Sequence, residues 1–144
     1  MKKIVVTTLI GMGLTGCGSL AVKPVPNPIS LQPNNVCIED NPKVIVPMFN
    51  EHLVEAFSNH GLKSTVYKEN SNLQNCQTKL RYTALRSWDM GIFLSTVHLE
   101  LLNSQDVKIG TVDWVQNPWA LNKWRADQKK LNFLIGELLG ESKK

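Results

Sequence analysis

Three β-prone runs follow one another almost without interruption between residues 79 and 115, and no other feature constrains the fold as strongly. Residues 79–88 alternate, with Leu80, Tyr82 and Ala84 on one face and Arg81, Thr83 and Leu85 on the other. That period of two is the mark of a strand with one buried face. Asp89-Met90-Gly91 turns or bulges the chain, and residues 92–102 form a long β-branched and apolar strand. Asn103-Ser104-Gln105-Asp106 reads as a hairpin loop, and residues 107–115 as the returning strand before Asn117-Pro118 breaks it. Successive strands joined by short turns pair antiparallel, so the centre of the chain is a meander.

Helical periodicity flanks this meander. From Pro47 onward, Phe49, Leu53, Ala56, Phe57 and His60 recur at three- and four-residue spacing, and Gly61 sits where a helix-ending glycine belongs. Proline suits a first helical position, so the spacing predicts a helix over 47–60. A second is predicted over 121–139, ended by Gly140. Its stripe is Leu121, Trp124, Leu131, Leu134, Ile135 and Leu138, with Lys123, Arg125, Lys129 and Lys130 opposite. Short β-prone runs at 36–39 and 62–68 bracket the first helix. This order predicts an α+β two-layer sandwich: a mostly antiparallel four- to five-stranded sheet with two helices on one face.

The first 16 residues stand outside that domain. Lys2 and Lys3 precede an apolar stretch over 4–14 that is too short to span a bilayer, the pattern of an export signal. It ends in Leu14-Thr15-Gly16-Cys17, which resembles the lipobox of bacterial lipoproteins. The resemblance implies cleavage after Gly16, a diacylglycerol on the Cys17 sulfur and a further acyl chain on the new amino terminus. Two or more chains hold a protein stably on a membrane where one holds it marginally. Gly18, rather than an aspartate, follows the cysteine, and by that resemblance the anchor belongs in the outer membrane with the domain facing the periplasm. The expected organisation is signal peptide 1–16, lipidated Cys17 with a proline-rich tether to residue 35, and one domain over 36–144. Pro24, Pro26, Pro28 and Pro33 give the tether its extended, polyproline character.

Loss of Lys2 and Lys3 takes the formal charge from +4 to +2, so the basic balance of the full chain says little about partners. With no arginine-rich stripe and an exported location, nucleic acid is not an expected ligand. Cys37 and Cys76 remain as an even pair in an oxidising compartment and predict a structural disulfide. Cys37 ahead of a helix, then Cys76, Leu80-x-Tyr82, Trp88-Asp89 and Ile109-Gly110, is similar to the pattern of a group of small proteobacterial lipoproteins. That similarity supports the fold and adds no chemistry.

The search for chemistry finds little. No phosphate-cradling glycine loop and no Gly-x-Ser-x-Gly elbow is present. His52, His60 and His98 do not stand at metal-ligand spacing, so neither a metal nor a cofactor is expected. His98 shares a strand face with Thr96 and Glu100 and reads as a solvent-facing histidine. Glu39-Asp40 reads as a turn, and Glu51 and Glu55 as a solvated helix face. The enrichment that stands out is Trp114, Trp119 and Trp124 around Asn117-Pro118, with Lys123 and Arg125 beside them. Aromatic rings next to cations and amides suit a carbohydrate or protein hot spot. The competing reading has Trp114 and Trp124 face the core while Trp119 staples the strand–helix corner; of the three, Trp119 is the ring expected to be exposed.

These observations favour a non-enzymatic, lipid-anchored envelope module that binds a protein or glycan partner, with no catalytic residue. Three alternatives stand beside it. One is an accessory or assembly subunit of an envelope secretion or transport complex, and another an inhibitor of a lytic wall enzyme. The third is a wall-directed hydrolase using Asp89 or Asp113.

Overall fold

The computed structural model describes residues 18–26, 35–68, 71 and 76–141. The segment read as an export signal, Cys17 and most of the proline-rich segment lie outside the described residues. The elements are β1 (Leu20–Lys23), β2 (Val36–Asp40), α1 (Phe49–Asn59), β3 (Ser64–Lys68), β4 (Thr78–Trp88), β5 (Ile92–Leu102), β6 (Lys108–Val115) and α2 (Asp127–Leu138). The α+β class holds, but the sheet has six strands in the order β1-β6-β5-β4-β2-β3 and is mixed. β2 runs parallel to both β3 and β4, while β4, β5, β6 and β1 are antiparallel. The expected four- to five-stranded, mostly antiparallel sheet is thus corrected at both edges. A parallel neighbour needs a crossover element between the strands, and α1 supplies it between β2 and β3.

The central alternation places its apolar set on one face. Leu80, Tyr82 and Ala84 of β4 stand opposite Leu101, Leu99 and Val97 of β5, and all six are buried. Ile38 pairs with Leu80 and Val112 with Leu99, extending the layer in both directions. Phe49, Leu53, Ala56 and Phe57 of α1 and Leu131, Leu134, Ile135 and Leu138 of α2 cover it in one continuous core. Both helices therefore lie on the same face, and the other face carries the polar residues of the alternation.

β1 occupies sequence read as tether. Leu20 to Lys23 pair with Trp114 to Thr111, Val25 is buried, and the Val25 N–H donates to the Leu138 carbonyl at 2.9 Å. Prolines begin only at Pro24, so residues 20–23 keep the amide donors that a ladder requires. The folded unit thus begins well before residue 36, and residues 24–35 join the strand at one edge to β2 on the far side of β4.

Both helices are shorter than their patterns. Met48 takes a left-handed conformation (φ 55°), so α1 starts after it rather than at Pro47. α2 starts at Asp127, because residues 117–125 fold as successive turns closed by Ala120 N–H to Asn117, Lys123 N–H to Ala120 and Arg125 N–H to Asn122. Cys37, the second residue of β2, is joined to Cys76 just ahead of β4, with Cα atoms 6.0 Å apart. The pair ties α1 and β3 into a closed loop.

Candidate functional site

The 116–126 segment is built as a shelf. Trp119 N–H donates to Asn117 Oδ1 at 2.9 Å, an Asx turn that fixes the exit from β6. Lys123 is 5% exposed, and its ammonium donates to Asp89 and, at 2.6 Å, to the Pro118 carbonyl. It also lies 4.6 Å from the centre of the Trp124 ring and 5.6 Å from that of Phe93. Trp124 Nε1–H donates to the Asp89 carbonyl at 3.1 Å. The β4–β5 turn and the shelf are therefore one unit, pinned by a desolvated cation.

Between the shelf and α2 lies a groove of about 500 Å³, lined by Trp114, Gln116, Asn117, Asn122, Arg125 and Lys129 together with Lys130 and Phe133. Among the described residues, no carboxylate lines it. Lys130 is nearly buried, 5.6 Å from the Trp114 ring centre, and donates to the Lys123 carbonyl at 2.5 Å. Burial pulls its ammonium below the usual lysine range, against the opposing charge of Asp127. The groove is thus positive and amide-rich, with an indole among its walls.

The candidate tryptophans part company here. Trp114 is half-buried against the core and lines the groove, Trp119 is exposed, and Trp124 is 44% exposed rather than in the core. Arg125 lines the groove, whereas Lys123 is spent on Asp89 and takes no part in its wall. Sequence reasoning did not single out Gln116, Asn122, Lys129, Lys130 or Phe133 as lining residues. Placing them requires knowing that 117–125 is not helical.

A second polar cluster lies on the open face of the sheet. His98 Nδ1 is 2.5 Å from Asp113 and Nε2 is 2.9 Å from Glu100, with Lys108 Nζ 2.7 Å from the same Glu100 oxygen. Partial burial lowers the His98 pKa, but hydrogen bonds and charge from Glu100 and Asp113 outweigh it and leave the imidazolium favoured. Burial likewise opposes ionisation of Glu100, and Lys108 and His98 outweigh it, holding its carboxyl below the usual range. Further along, the Tyr67 hydroxyl donates to Glu39 at 3.1 Å, and Arg81 Nε donates to the same oxygen at 3.2 Å. Burial and the Glu39 charge push the Tyr67 phenol up to about 12. Glu39 is therefore an ion-pair partner across three strands rather than part of a turn. Asp89 and Asp113, the candidate hydrolase carboxylates, sit in separate ion pairs with Lys123 and His98. Among the described residues, no group of three or more His, Cys, Asp or Glu is arranged to hold a metal ion, and no helix is long and apolar enough to cross a membrane.

No family model matches this chain, and no curated protein does. Its fold is similar to that of a PelC dodecamer from Paraburkholderia phytofirmans, with a TM-score of 0.52 over 85% of this chain and 96% of that one. Identity between the two is 12%, so the likeness is one of fold.

Proposed function

We propose that this chain is a lipid-anchored envelope module, without catalytic activity, whose groove between the 116–126 shelf and α2 binds an acidic glycan. The anchor rests on the lipobox resemblance at Leu14-Thr15-Gly16-Cys17. The observation that carries the binding reading is the lining of the groove: Arg125, Lys129 and Lys130, amides from Gln116, Asn117 and Asn122, and the Trp114 indole, with no carboxylate among the described residues. Cations select an acidic ligand, amides suit hydroxyl groups, and an indole suits the apolar face of a sugar ring. The test is calorimetric titration of the mature chain with uronic acid oligosaccharides and with their neutral counterparts. Binding of the acidic series only, weakened at least about tenfold by Arg125→Ala with Lys129→Ala, is expected, since a charge-assisted hydrogen bond contributes about 1.5–3 kcal/mol. Equal binding of both series, or none, sinks the reading.

Membership of a larger assembly is the second reading. The fold likeness to a chain that forms a dodecamer favours it, as do the two outer strands β1 and β3, each paired on one side. Light scattering of the mature chain in detergent tests it, and a monomer at every concentration would exclude self-assembly.

A further inference from the structure

We infer that the end of the molecule carrying the β4–β5 turn and the 116–126 shelf lies directly against the lipid bilayer, with Trp119 and Leu121 entering its interface. The inference rests on lipidation of Cys17 and adds to it a second, protein-borne contact.

Chain length fixes the distance. β1 begins at Leu20 and is hydrogen-bonded into the sheet from its first residues, with Val115 N–H donating to the Ser19 carbonyl at 2.9 Å. Gly18 packs so closely on the same corner that an added Cβ would lie 2.1 Å from the Val115 carbonyl and 2.7 Å from the Asn117 nitrogen. Only Gly18 and Ser19 separate Cys17 from the strand, and three residue steps span at most about 11 Å. A lipid on Cys17 therefore cannot hold this corner away from the membrane. The proline-rich segment lies beyond β1 and adds nothing to that reach.

The surface at this corner suits the location. Trp119 is 89% exposed, Leu121 91% and Met90 87%, and Trp88 and Ile92 are exposed beside them on the β4–β5 hairpin. The hairpin and the shelf are joined by Lys123 on Asp89 and by Trp124 on the Asp89 carbonyl. The Gln116 N–H donates to the Ser95 carbonyl at 2.8 Å, which places both at the end where β1 starts. Five large apolar side chains thus project from one end, close to the anchor, while the opposite hairpin tip carries Ser104, Gln105 and Asp106. Indoles favour the headgroup level of a bilayer, so rings that the anchor brings to that depth gain by entering it. Exposed Arg86 and Arg125 outnumber Asp89, whose charge is met by Lys123, so the end favours an anionic lipid surface.

The test uses the full mature chain, extracted with its native modification and reconstituted into phosphatidylethanolamine–phosphatidylglycerol vesicles whose acyl chains are brominated near the glycerol. Mass spectrometry reads the modification at Cys17, and tryptophan emission reads contact with the bromines. The expected result is diacylglycerol on Cys17 with emission quenched about twofold relative to unbrominated vesicles, because indoles at headgroup depth meet the bromines. Trp88→Ser with Trp119→Ser should remove most of that quenching at unchanged far-ultraviolet circular dichroism, since both indoles are exposed. Lipid present with emission unquenched overturns the inference alone, and lipid absent overturns it together with the anchor. Unquenched emission with concentration-dependent association would assign this end to a second copy, and also overturns it.

Discussion

The Lys123 ammonium is held against the Asp89 carboxylate across the gap between the shelf and the β4–β5 turn, with only 6% of the lysine side chain exposed against 52% of the aspartate's. The cation is therefore desolvated and its partner is not. Three compensations surround it: the Pro118 carbonyl at 2.6 Å and the rings of Phe93 and Trp124. Removing the lysine leaves the carboxylate in water and releases the shelf.

Lys123→Met should accordingly cost about 1.5–3 kcal/mol, the range for hydrogen bonds to charged groups. Amide exchange should quicken within 117–125 more than in α1. Arg125→Ala, at an exposed position, should change stability by less than about 0.5 kcal/mol. Urea melts with exchange mass spectrometry check both, and equal effects of the two substitutions would refute the assigned role of Lys123.

Replacing Cys37 and Cys76 together by alanine opens a loop with a sequence separation of 39. Chain-entropy arithmetic for such a loop gives a loss of about 4 kcal/mol. The urea midpoint of the double variant should fall accordingly, and reducing agent should leave the variant unaffected while destabilising the parent.

The imidazole of His98 between Asp113 and Glu100 predicts a pH dependence with a definite sign. Its folded pKa is raised above the ordinary 6.5, so its contribution is complete below 6.5 and lost as pH rises through the folded value. Glu100 acts oppositely: its folded pKa is lowered below 4.5, so its contribution is present above 4.5 and lost as pH falls through the folded value. Stability measured from pH 5 to 9 should decline across the histidine window in the parent and lose that decline in His98→Gln. An unchanged slope in the variant would rule out His98 as its source.

Gly18→Ala should destabilise the start of β1. A Cβ 2.1 Å from the Val115 carbonyl meets backbone, which has no rotamer to offer, and overpacking of this kind costs about 1–3 kcal/mol. Exchange of the β1 amides would rise while that of β5 stays protected. Wild-type protection throughout β1 would show that the glycine's close approach is dispensable.

Much of the fold was legible from residue order. The alternation at Leu80, Tyr82 and Ala84 marked the buried face, the stripe at Phe49, Leu53 and Phe57 marked a helix, and with Cys17 assigned to the lipid the other two cysteines allowed one pairing. Those signals are local, because a strand or helix shows its buried side through its own period. The cluster around His98 was not legible, because its pairing depends on an irregularity. Counting from the 103–107 hairpin closure sets His98 opposite Val112, whereas a register shift between Leu101 and Leu102 sets it opposite Asp113. One inserted residue reverses which side chains meet.

What the sequence determined by itself, then, is the set of half-buried strands, the helical stripes, the disulfide pairing and the expectation of a lipid on Cys17. Tertiary structure decided where the outer strands lie. Nothing in Leu20-Ala21-Val22-Lys23 announces a partner 88 to 94 residues further on, yet Leu20 pairs with Trp114 and Lys23 with Thr111. It also decided that Leu121 and Trp124 leave the helical stripe for the shelf, where turn hydrogen bonds and the buried Lys123 outweigh the periodicity. Local propensity is set by neighbours a few residues away, whereas a sheet edge and a groove are made by segments that meet only once the chain has folded.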